Sequence, residues 1–411
     1  MHTIMELNIP SEIWDLIVSH FDAVDQASAS RVRQYETFGD ARKQLGILRL
    51  VNKTFSSGAS PRLFRHIIAT VSESQGSPLE RVVHLSNSPY GAHVRQIDVG
   101  FACFGDHCPE ISPLYAEDLA EVLSSCLVKF PNIRALRFQD PPPSFSREKA
   151  EKFVNTVIST LHYVQLPHLR ELNIGFPVTY DFNQFFPGET GPLQIPIENV
   201  LQNLSHLGVY VSEFTSQRGQ RYWKTPIPAA YSALPNETHA HFLFRLVELA
   251  TNLKSLSIAS TDILNLDDLN FSPSLRLRSL TLKSVSISSH TLLALIEQSN
   301  ESITHIELQL VKLRSGEWQH ILSQMRQLPN LVDLFIESSG YSLEGSSSHL
   351  SPGLLPPPDD PMDIETGNYE DIHALEALQH QVNMNRTAVG FAPVGVIEYR
   401  HLHKRYWIAE S

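Results

Sequence analysis

The chain has 411 residues, of which 44 are Asp or Glu and 32 are Lys or Arg, giving a formal net charge of −12 at pH 7. Because nucleic acids are bound by clustered Lys and Arg, and because no stretch approaches the roughly 18 apolar residues that a membrane span requires, neither nucleic acid nor a membrane is an expected partner. The three cysteines are too few for a disulfide framework. Residues 1–6 lack a basic region followed by an apolar stretch, so no signal peptide is expected and we predict a cytoplasmic or nuclear protein.

The first 67 residues predict three short amphipathic helices. The first begins at Pro10, because proline is favoured at the first helical position, and its apolar residues recur at helical spacing. The apolar residues of the three helices are, in order, Ile13, Leu16, Ile17 and Phe21; Leu48, Val51 and Phe55; and, after Ser60-Pro61, Leu63, Phe64 and Ile67. Helices this short cannot bury all their apolar surface among themselves, so we expect a partner.

The same segments resemble the F-box. Its first half is similar to Ile9-Pro10-x-Glu12-Ile13 with Ile17, and its second half to Val51, Phe55 and Leu63-Phe64, with phenylalanine in place of two tryptophans. The polar link over residues 22–44 is longer than is usual in that family. The resemblance implies docking to the Skp adaptor of a Skp–cullin–F-box ubiquitin ligase through Ile9, Pro10, Ile13, Leu16, Ile17, Val51, Phe55, Leu63 and Phe64. The alternative is a helical cap, which would bury Pro10, Ile13 and Phe64 against the following domain.

From residue 94 onward the pattern apolar-x-x-apolar-x-apolar occurs eight times. Its copies start at Val94, Ile133, Leu169, Leu204, Leu253, Leu277, Ile303 and Leu331. Successive starts lie 39, 36, 35, 49, 24, 26 and 28 residues apart, and the last three intervals fall within the range of leucine-rich repeats. The pattern resembles that family in a degenerate form. The Asn or Cys that the family carries eight residues after the start, to bond backbone groups in the turn, is missing, so a regular asparagine ladder is not expected.

Amphipathic helices are predicted between these segments, over residues 116–130, 147–161, 240–250, 291–298 and 317–326. A repeated strand and helix predict an α/β fold, a right-handed solenoid of parallel strands on a concave face with helices outside. A doubly wound α/β sheet also alternates strands and helices, but its strands have no reason to share one signature.

The array has predicted interruptions and boundaries. Stretches rich in Pro, Gly and aromatic residues interrupt it at 176–199 and 219–237. A Ser- and Pro-rich linker over 342–361 precedes a helix predicted over 369–382, which we expect to cap the array. We therefore divide the chain into an F-box-like domain over 1–70, repeats over 71–341 and a linker and tail over 342–411.

Candidate target-binding residues follow from the alternation of side chains along each strand. Residues between the buried positions face the concave surface, and an exposed aromatic such as Phe335 is costly unless a partner covers it. The candidates are Arg137, His206, Tyr210, Lys283, His305, Glu307 and Phe335.

Sequence motifs give little support for catalysis. There is no phosphate-binding Gly-rich loop, no His-Glu-x-x-His and no Gly-x-Ser-x-Gly. Cys103, His107 and Cys108 are weak candidates for zinc ligands, since their spacing is not a standard knuckle and a fourth ligand is missing. We expect no cofactor and no enzymatic activity.

An F-box followed by leucine-rich repeats is the architecture of substrate receptors, and the layout resembles many such proteins of filamentous fungi. It implies an adaptor that links an unknown target protein, through the Skp subunit, to a cullin. Two alternatives remain. One is a leucine-rich-repeat interaction scaffold without a ubiquitin role, and the other is a metal-dependent enzyme built around Cys103, His107 and Cys108.

Overall fold

The computed structural model describes residues 16, 34–71, 78–101, 115–141, 146–188, 194–212, 239–342 and 364–394. The chain divides into two compact units. The first comprises Met1–Ala102, Pro109–Arg137 and Val164–Leu169, and the second comprises Cys103–Cys108, Phe138–Tyr163 and Arg170–Ser411. Within the described ranges, no helix has the length and apolar character needed to span a membrane.

The first unit combines helices with parallel strands. Its helices are α1 (Gln34–Val51), α2 (Lys53–Leu63), α3 (Pro78–Ser86), α4 (Tyr115–Leu127) and a 3₁₀ helix (Pro89–His93). Its strands are β1 (His66–Val71), β2 (Gln96–Phe101) and β3 (Ala135–Phe138), which are neighbours in chain order. Strands β1 and β2 are parallel, with His66 beside Gln96 and Ile67 beside Ile97.

Asn52 separates α1 from α2, so the single helix predicted through Leu48, Val51 and Phe55 is wrong. The Asn52 side chain accepts a hydrogen bond of 2.8 Å from the Phe55 N–H, and asparagine is a favoured helix N-cap because it satisfies such an amide. Leu48 and Phe55 pack in the core between the helices, whereas Val51 is exposed. The link predicted over 22–44 overlaps α1, which begins at Gln34.

The third helix predicted from Ser60 to Ile67 is also wrong, because Pro61 lies inside α2 and Ile67 lies in β1. The segment Phe64-Arg-His-Ile67-Ile-Ala69 carries the same six-residue signature as the later repeats and starts 30 residues before Val94. Ile67 and Ala69 are buried, and Ile68 between them is half-buried. The repeat array therefore starts one copy earlier than predicted.

The second unit continues the alternation of helix and strand. Its helices are α5 (Arg147–Tyr163), α6 (Ile197–Leu201), α7 (His241–Leu249), α8 (Ser289–Gln298), α9 (Trp318–Met325) and α10 (Tyr369–Ala388), with a 3₁₀ helix over Thr179–Phe185. Its strands are β4 (Glu171–Phe176), β5 (His206–Val211), β6 (Ser255–Asn265), β7 (Ser279–Ile287), β8 (His305–Gln309), β9 (Lys312–Leu313), β10 (Asp333–Glu337), β11 (Ser339–Tyr341) and β12 (Ile364–Glu365). The helices predicted over 116–130, 147–161, 240–250, 291–298 and 317–326 are confirmed to within about three residues at either end. The C-terminal helix predicted over 369–382 is also confirmed, and it extends to Ala388.

The repeat signature is confirmed as parallel strands in register. The fourth residue of each copy lies beside the fourth residue of the next, as the pairs Leu207–Leu256, Leu256–Leu280 and Leu280–Ile306 illustrate. Strand order in the second unit follows chain order from β4 to β7, unlike a doubly wound sheet, in which the order reverses. Because crossovers between parallel strands are right-handed, this order places the connecting helices on one face of the sheet.

A recurring hydrogen-bond pair fixes the start of each strand. In the first unit the Arg65 carbonyl accepts from the N–H groups of Arg95 and Gln96, at 2.8 and 3.0 Å. The same two-donor arrangement recurs at the carbonyls of Arg95, Arg170, Ser205, Lys254, Arg278 and Thr304. The second residue of each copy thus has a fixed place at the edge of the sheet where the strands begin.

Short parallel strands follow the main strands: the end of β7 pairs with β9, β9 with β11, and β11 with β12. Ser284, Leu310 and Ser338 have φ near +50° and each lies seven residues after the start of its repeat, where the chain turns into the short strands. One residue later, the Ser339 hydroxyl accepts from the Val311 N–H and donates to the Leu308 carbonyl, both at 3.2 Å. A serine hydroxyl therefore bridges two backbone groups at the eighth position after the start of this repeat.

Candidate functional site

An exposed apolar strip runs along α1. Ile47, Leu50 and Val51 are 57%, 85% and 59% exposed, and their spacing of three and four residues places them on one side of the helix. On the other side Leu45 and Leu48 pack with Phe55 and Leu63. Val51 is one of the predicted adaptor-binding residues, whereas Ile47 and Leu50 were missed because Leu48 was assigned to this face.

The other predicted adaptor-binding residues are in different settings. Phe55 is buried and Leu63 is half-buried between the helices, so the structure does not bring them onto the surface that Val51 occupies. Leu16 is helical and exposed. Ile9, Pro10, Ile13 and Ile17 lie outside the described residues.

Phe64, the first residue of the earliest repeat copy, is half-buried and packs against the 3₁₀ helix that precedes β2. Its ring stacks on Tyr90 with 4.7 Å between centroids. The Arg49 guanidinium lies 5.0 Å from the Phe64 ring and 4.5 Å from the Tyr90 ring, a distance at which a cation is attracted to the ring face. Arg49, which sequence reasoning missed, thereby holds α1 against the first repeat, while Val51 and Leu50 remain exposed.

In the second unit one face of the sheet carries the half-buried side chains, and we call it the open face. Along β8 the buried Ile306 and Leu308 alternate with half-buried His305, Glu307 and Gln309. The predicted target-binding residues of this unit lie on that face or at its margin: His206, Tyr210, Lys283, His305, Glu307 and Phe335. Arg137 belongs to the first unit.

The register divides these residues into two groups. Lys283, His305, Glu307 and Phe335 lie on β7, β8 and β10, where Glu307 is beside Phe335, and Phe335 is 46% exposed. His206 and Tyr210 lie on β5, and β6 separates them from the first group. The β6 residues beside them are small: Ser255 lies beside His206 and Ala259 lies beside Tyr210. The open face thus has a charged part with one aromatic, a part lined by small residues, and Tyr210.

His305 is held between two carboxylates. Its Nδ1 lies 2.9 Å from Asp333 Oδ2, and its Nε2 lies 3.9 Å from Glu307 Oε2. The hydrogen bond to Asp333 and the adjacent Glu307 carboxylate raise the pKa of His305 to about 9, against the opposing effect of burial. His305 is therefore a cation at neutral pH, and this part of the open face combines it with Lys283 and the two carboxylates.

Asp140, which sequence reasoning missed, lies near Tyr210. Burial raises the pKa of Asp140 to about 6 despite a hydrogen bond from Ser212, and burial together with the nearby Asp140 charge raises the pKa of Tyr210. A Cβ on Gly175 would stand 2.5 Å from the Asp140 backbone nitrogen. Glycine at that position therefore allows the segment after β3 to approach β4.

Arg137 lies close to a polar group in the first unit. The Asp98 carboxylate is bonded to His66 Nε2 at 2.8 Å and to Gln96 Nε2 at 2.9 Å. Burial alone would raise the pKa of Asp98, but the hydrogen bond from His66 and the charges of His66 and Arg137 outweigh it, so the pKa is lowered. These side chains satisfy one another and form the first unit's counterpart of the open face.

Within the described ranges, no group of three or more His, Cys, Asp and Glu side chains has an arrangement that could hold a metal ion. The zinc candidates Cys103, His107 and Cys108 lie outside those ranges. Cys126 is a free, buried cysteine of α4.

No family model matches the chain, and no curated protein matches it. Among solved structures, the chain is similar to an internalin from Listeria monocytogenes, with 12% sequence identity over 83% of this chain and 95% of that chain and a TM-score of 0.26. A likeness at this level does not assign a family. The α/β architecture with parallel strands stands on the chain's own register and hydrogen bonds.

Proposed function

We propose that this chain is a non-catalytic substrate-recognition adaptor of degenerate leucine-rich-repeat type. Its N-terminal helices dock onto the Skp subunit of a Skp–cullin–F-box ubiquitin ligase, and its open face binds the target protein. The observation that carries the proposal is the exposed strip of Ile47, Leu50 and Val51 on α1, since Val51 is also a position at which the sequence resembles the F-box.

The strip has the physical character of a docking surface. Burying a side chain of this size contributes about 1.5 to 3 kcal/mol, and contiguous exposed apolar side chains mark interaction sites in soluble proteins. The helix that carries them is fixed from behind by the Phe55 core and by Arg49 between two aromatic rings. A fixed helix face loses little conformational freedom on binding, which favours affinity.

The target would bind the charged part of the open face. Phe335 supplies an exposed aromatic anchor, and Lys283, His305 and Glu307 supply charges of both signs around it. Interfaces are commonly dominated by such an anchor with polar groups at its rim. The adaptor would act by raising the effective concentration of the target near a ubiquitin-charged enzyme, so it would contribute no nucleophile of its own.

Co-purification of the full chain with the Skp subunit tests the proposal. We expect stoichiometric binding by the intact chain and loss of binding in a Leu50→Asp, Val51→Asp variant, because a charge on each side chain must be desolvated at the interface. Val128→Asp is the matched control, since Val128 is 69% exposed in the same unit but lies outside α1. Both variants change only exposed side chains, so both should fold.

A different result selects the scaffold alternative. If the intact chain does not bind the Skp subunit, the ubiquitin role is wrong, and the repeats remain a protein-interaction surface of another kind. If Val128→Asp abolishes binding as fully as the α1 variant does, the strip is not the docking site. Phe335→Ala should leave Skp binding unchanged, because it alters only the face proposed for the target.

A further inference from the structure

A row of arginines lies along the strand-start edge of the first unit. Arg65, Arg95 and Arg134 each occupy the second position of a repeat. The backbone fixes them side by side, because the Arg95 N–H bonds the Arg65 carbonyl at 2.8 Å and the Arg134 N–H bonds the Arg95 carbonyl at 2.7 Å. Adjacent strands are spaced about 5 Å apart, so the Cα atoms of the three arginines lie along roughly 10 Å of the edge.

Among the residues that the structure describes, no carboxylate forms an ion pair with this row. The Arg65 and Arg134 side chains are exposed. Arg95 donates through Nη1 only to the carbonyls of Ala92 and Val94, at 2.8 and 3.1 Å. Partial burial and the like charges of Arg134 and Arg65 lower the pKa of Arg95. Like charges held together without a counter-ion attract an external anion.

The sequence stretches that flank the three arginines also lack acidic residues. The stretches 42–65, 81–97 and 122–137, which run into or past the three arginines, contain no Asp or Glu. Residues 42–65 alone contain six Lys and Arg. The first carboxylate after Arg95 is Asp98, which is bonded to His66 and Gln96. In a chain with a net charge of −12, this edge is a local region of positive charge.

We propose that Arg65, Arg95 and Arg134 bind an acidic peptide, an extended segment that carries carboxylate or phosphate groups along the row. Guanidinium groups match both anions through paired N–H donors. An extended chain advances about 3.3 Å per residue, so acidic side chains two or three residues apart span the row. A nucleic acid is disfavoured by the overall negative charge, which repels a polyanion at long range. The exposed strip on α1 takes no part in this site, so the inference does not depend on Skp binding.

Fluorescence anisotropy with the full chain tests the proposal at low salt. The probes are a labelled peptide of alternating Glu and Ser, the same peptide with phosphoserine, and a neutral Gln and Ser peptide. Both anionic peptides should bind and the neutral one should not. An Arg65→Gln, Arg134→Gln variant should bind the anionic peptides about tenfold or more weakly, because it loses two charged hydrogen-bond donors that pair with carboxylate or phosphate. Neither side chain forms a hydrogen bond within the described structure, so the variant should fold normally.

The matched control is Lys254→Gln, Arg278→Gln, which removes two charges from the same repeat position in the second unit. It should change affinity by less than about twofold. Equal loss in both variants would show that only net charge matters, and absence of binding by the intact chain would also overturn the proposal. If a DNA duplex binds more tightly than the peptides, with the same dependence on Arg65 and Arg134, the ligand of the row is a nucleic acid and the peptide proposal is wrong. The Arg65→Gln, Arg134→Gln variant should still bind the Skp subunit. Loss of peptide binding with Skp binding kept would therefore concern the arginine row alone, and not the adaptor role.

Discussion

His305 is the open-face residue whose protonation is most directly coupled to folding. Its folded-state pKa of about 9 exceeds the usual histidine value of about 6.5, so the folded state binds the proton more tightly. The resulting stability is fully present below pH 6.5 and is lost as pH rises through 9. We expect the free energy of unfolding to fall by about 2 kcal/mol between pH 6.5 and 9.5, a value reduced because Asp333 is half exposed to solvent. Urea unfolding at both pH values measures it.

Two histidine variants separate this effect from general alkaline destabilisation. His305→Gln should lose most of the pH dependence, because the bond to the Asp333 carboxylate no longer gains from a positive charge. His206→Gln removes the histidine at the same strand position of β5, beside Ser255, and should keep the dependence of the intact chain. An imidazole signal with a titration midpoint near 9, absent from His305→Gln, would identify the group directly. Identical pH profiles for all three proteins would contradict the assignment.

Several site residues could be predicted from the sequence because they depend on a local period. Glu307 lies between the buried Ile306 and Leu308, and His305 and Phe335 each precede a buried residue, so alternation along the strands places the three on one face. Arg49 and Asp140 could not be found in this way. Arg49 has its role only because Phe64 and Tyr90, distant in sequence, meet around it. The position of Asp140 close to β4 depends on the absence of a side chain at Gly175.

At the scale of elements, the eight predicted strands were recognisable because one signature recurs with its spacing intact. The first copy was misassigned because Leu63, Phe64 and Ile67 also fit helical spacing, and a pattern this short satisfies both periods. Asn52 was the available signal for the break between α1 and α2, since an asparagine before Lys53 caps the second helix. The two-residue strand β12 carries no recognisable period and is specified by its pairing with β11.

A buried ion pair fastens β12 to the array and gives an element-scale prediction. Lys312 Nζ in β9 lies 2.6 Å from Glu365 Oε2 in β12 and 3.0 Å from the Ser338 carbonyl, and both side chains are almost fully buried. Lys312→Met removes the cation and leaves a desolvated carboxylate. We therefore expect a loss of about 3 to 5 kcal/mol in the free energy of unfolding, measured by urea denaturation.

Two further variants show whether the stability lost in Lys312→Met comes from the buried ion pair. The double variant Lys312→Met, Glu365→Met should recover much of the stability, because replacing both buried charges removes the desolvation cost. Arg147→Met breaks the exposed pair with Glu151 and should cost less than about 1 kcal/mol. If Lys312→Met costs no more than Arg147→Met, the pair does not hold β12 in place.

At the scale of the molecule, residues 364–394 terminate the repeat array of the second unit. Strand β12 pairs with β11, and α10 packs on α9. The Asp371 carboxylate accepts hydrogen bonds from the Tyr341 and Thr366 hydroxyls at 2.7 Å and from the Gln319 N–H at 2.8 Å. Repeat arrays need such a segment because their last unit would otherwise expose an apolar face and an unpaired strand.

Ending the chain at residue 342 should therefore destabilise the second unit from its end inward. Leu375, Leu378 and Val382 of α10 are buried, and exposing the surface they cover, together with loss of the Asp371 bonds, should cost about 5 kcal/mol or more. The reference is a chain ending at residue 394, which keeps every contact described above. Because each repeat is stabilised mainly by its neighbours, hydrogen exchange should accelerate in β10, β11 and α9 and remain slow in β4 and β5. Uniform acceleration across the second unit would mean that its repeats unfold as one block, and no acceleration would mean that residues 364–394 do not support the array.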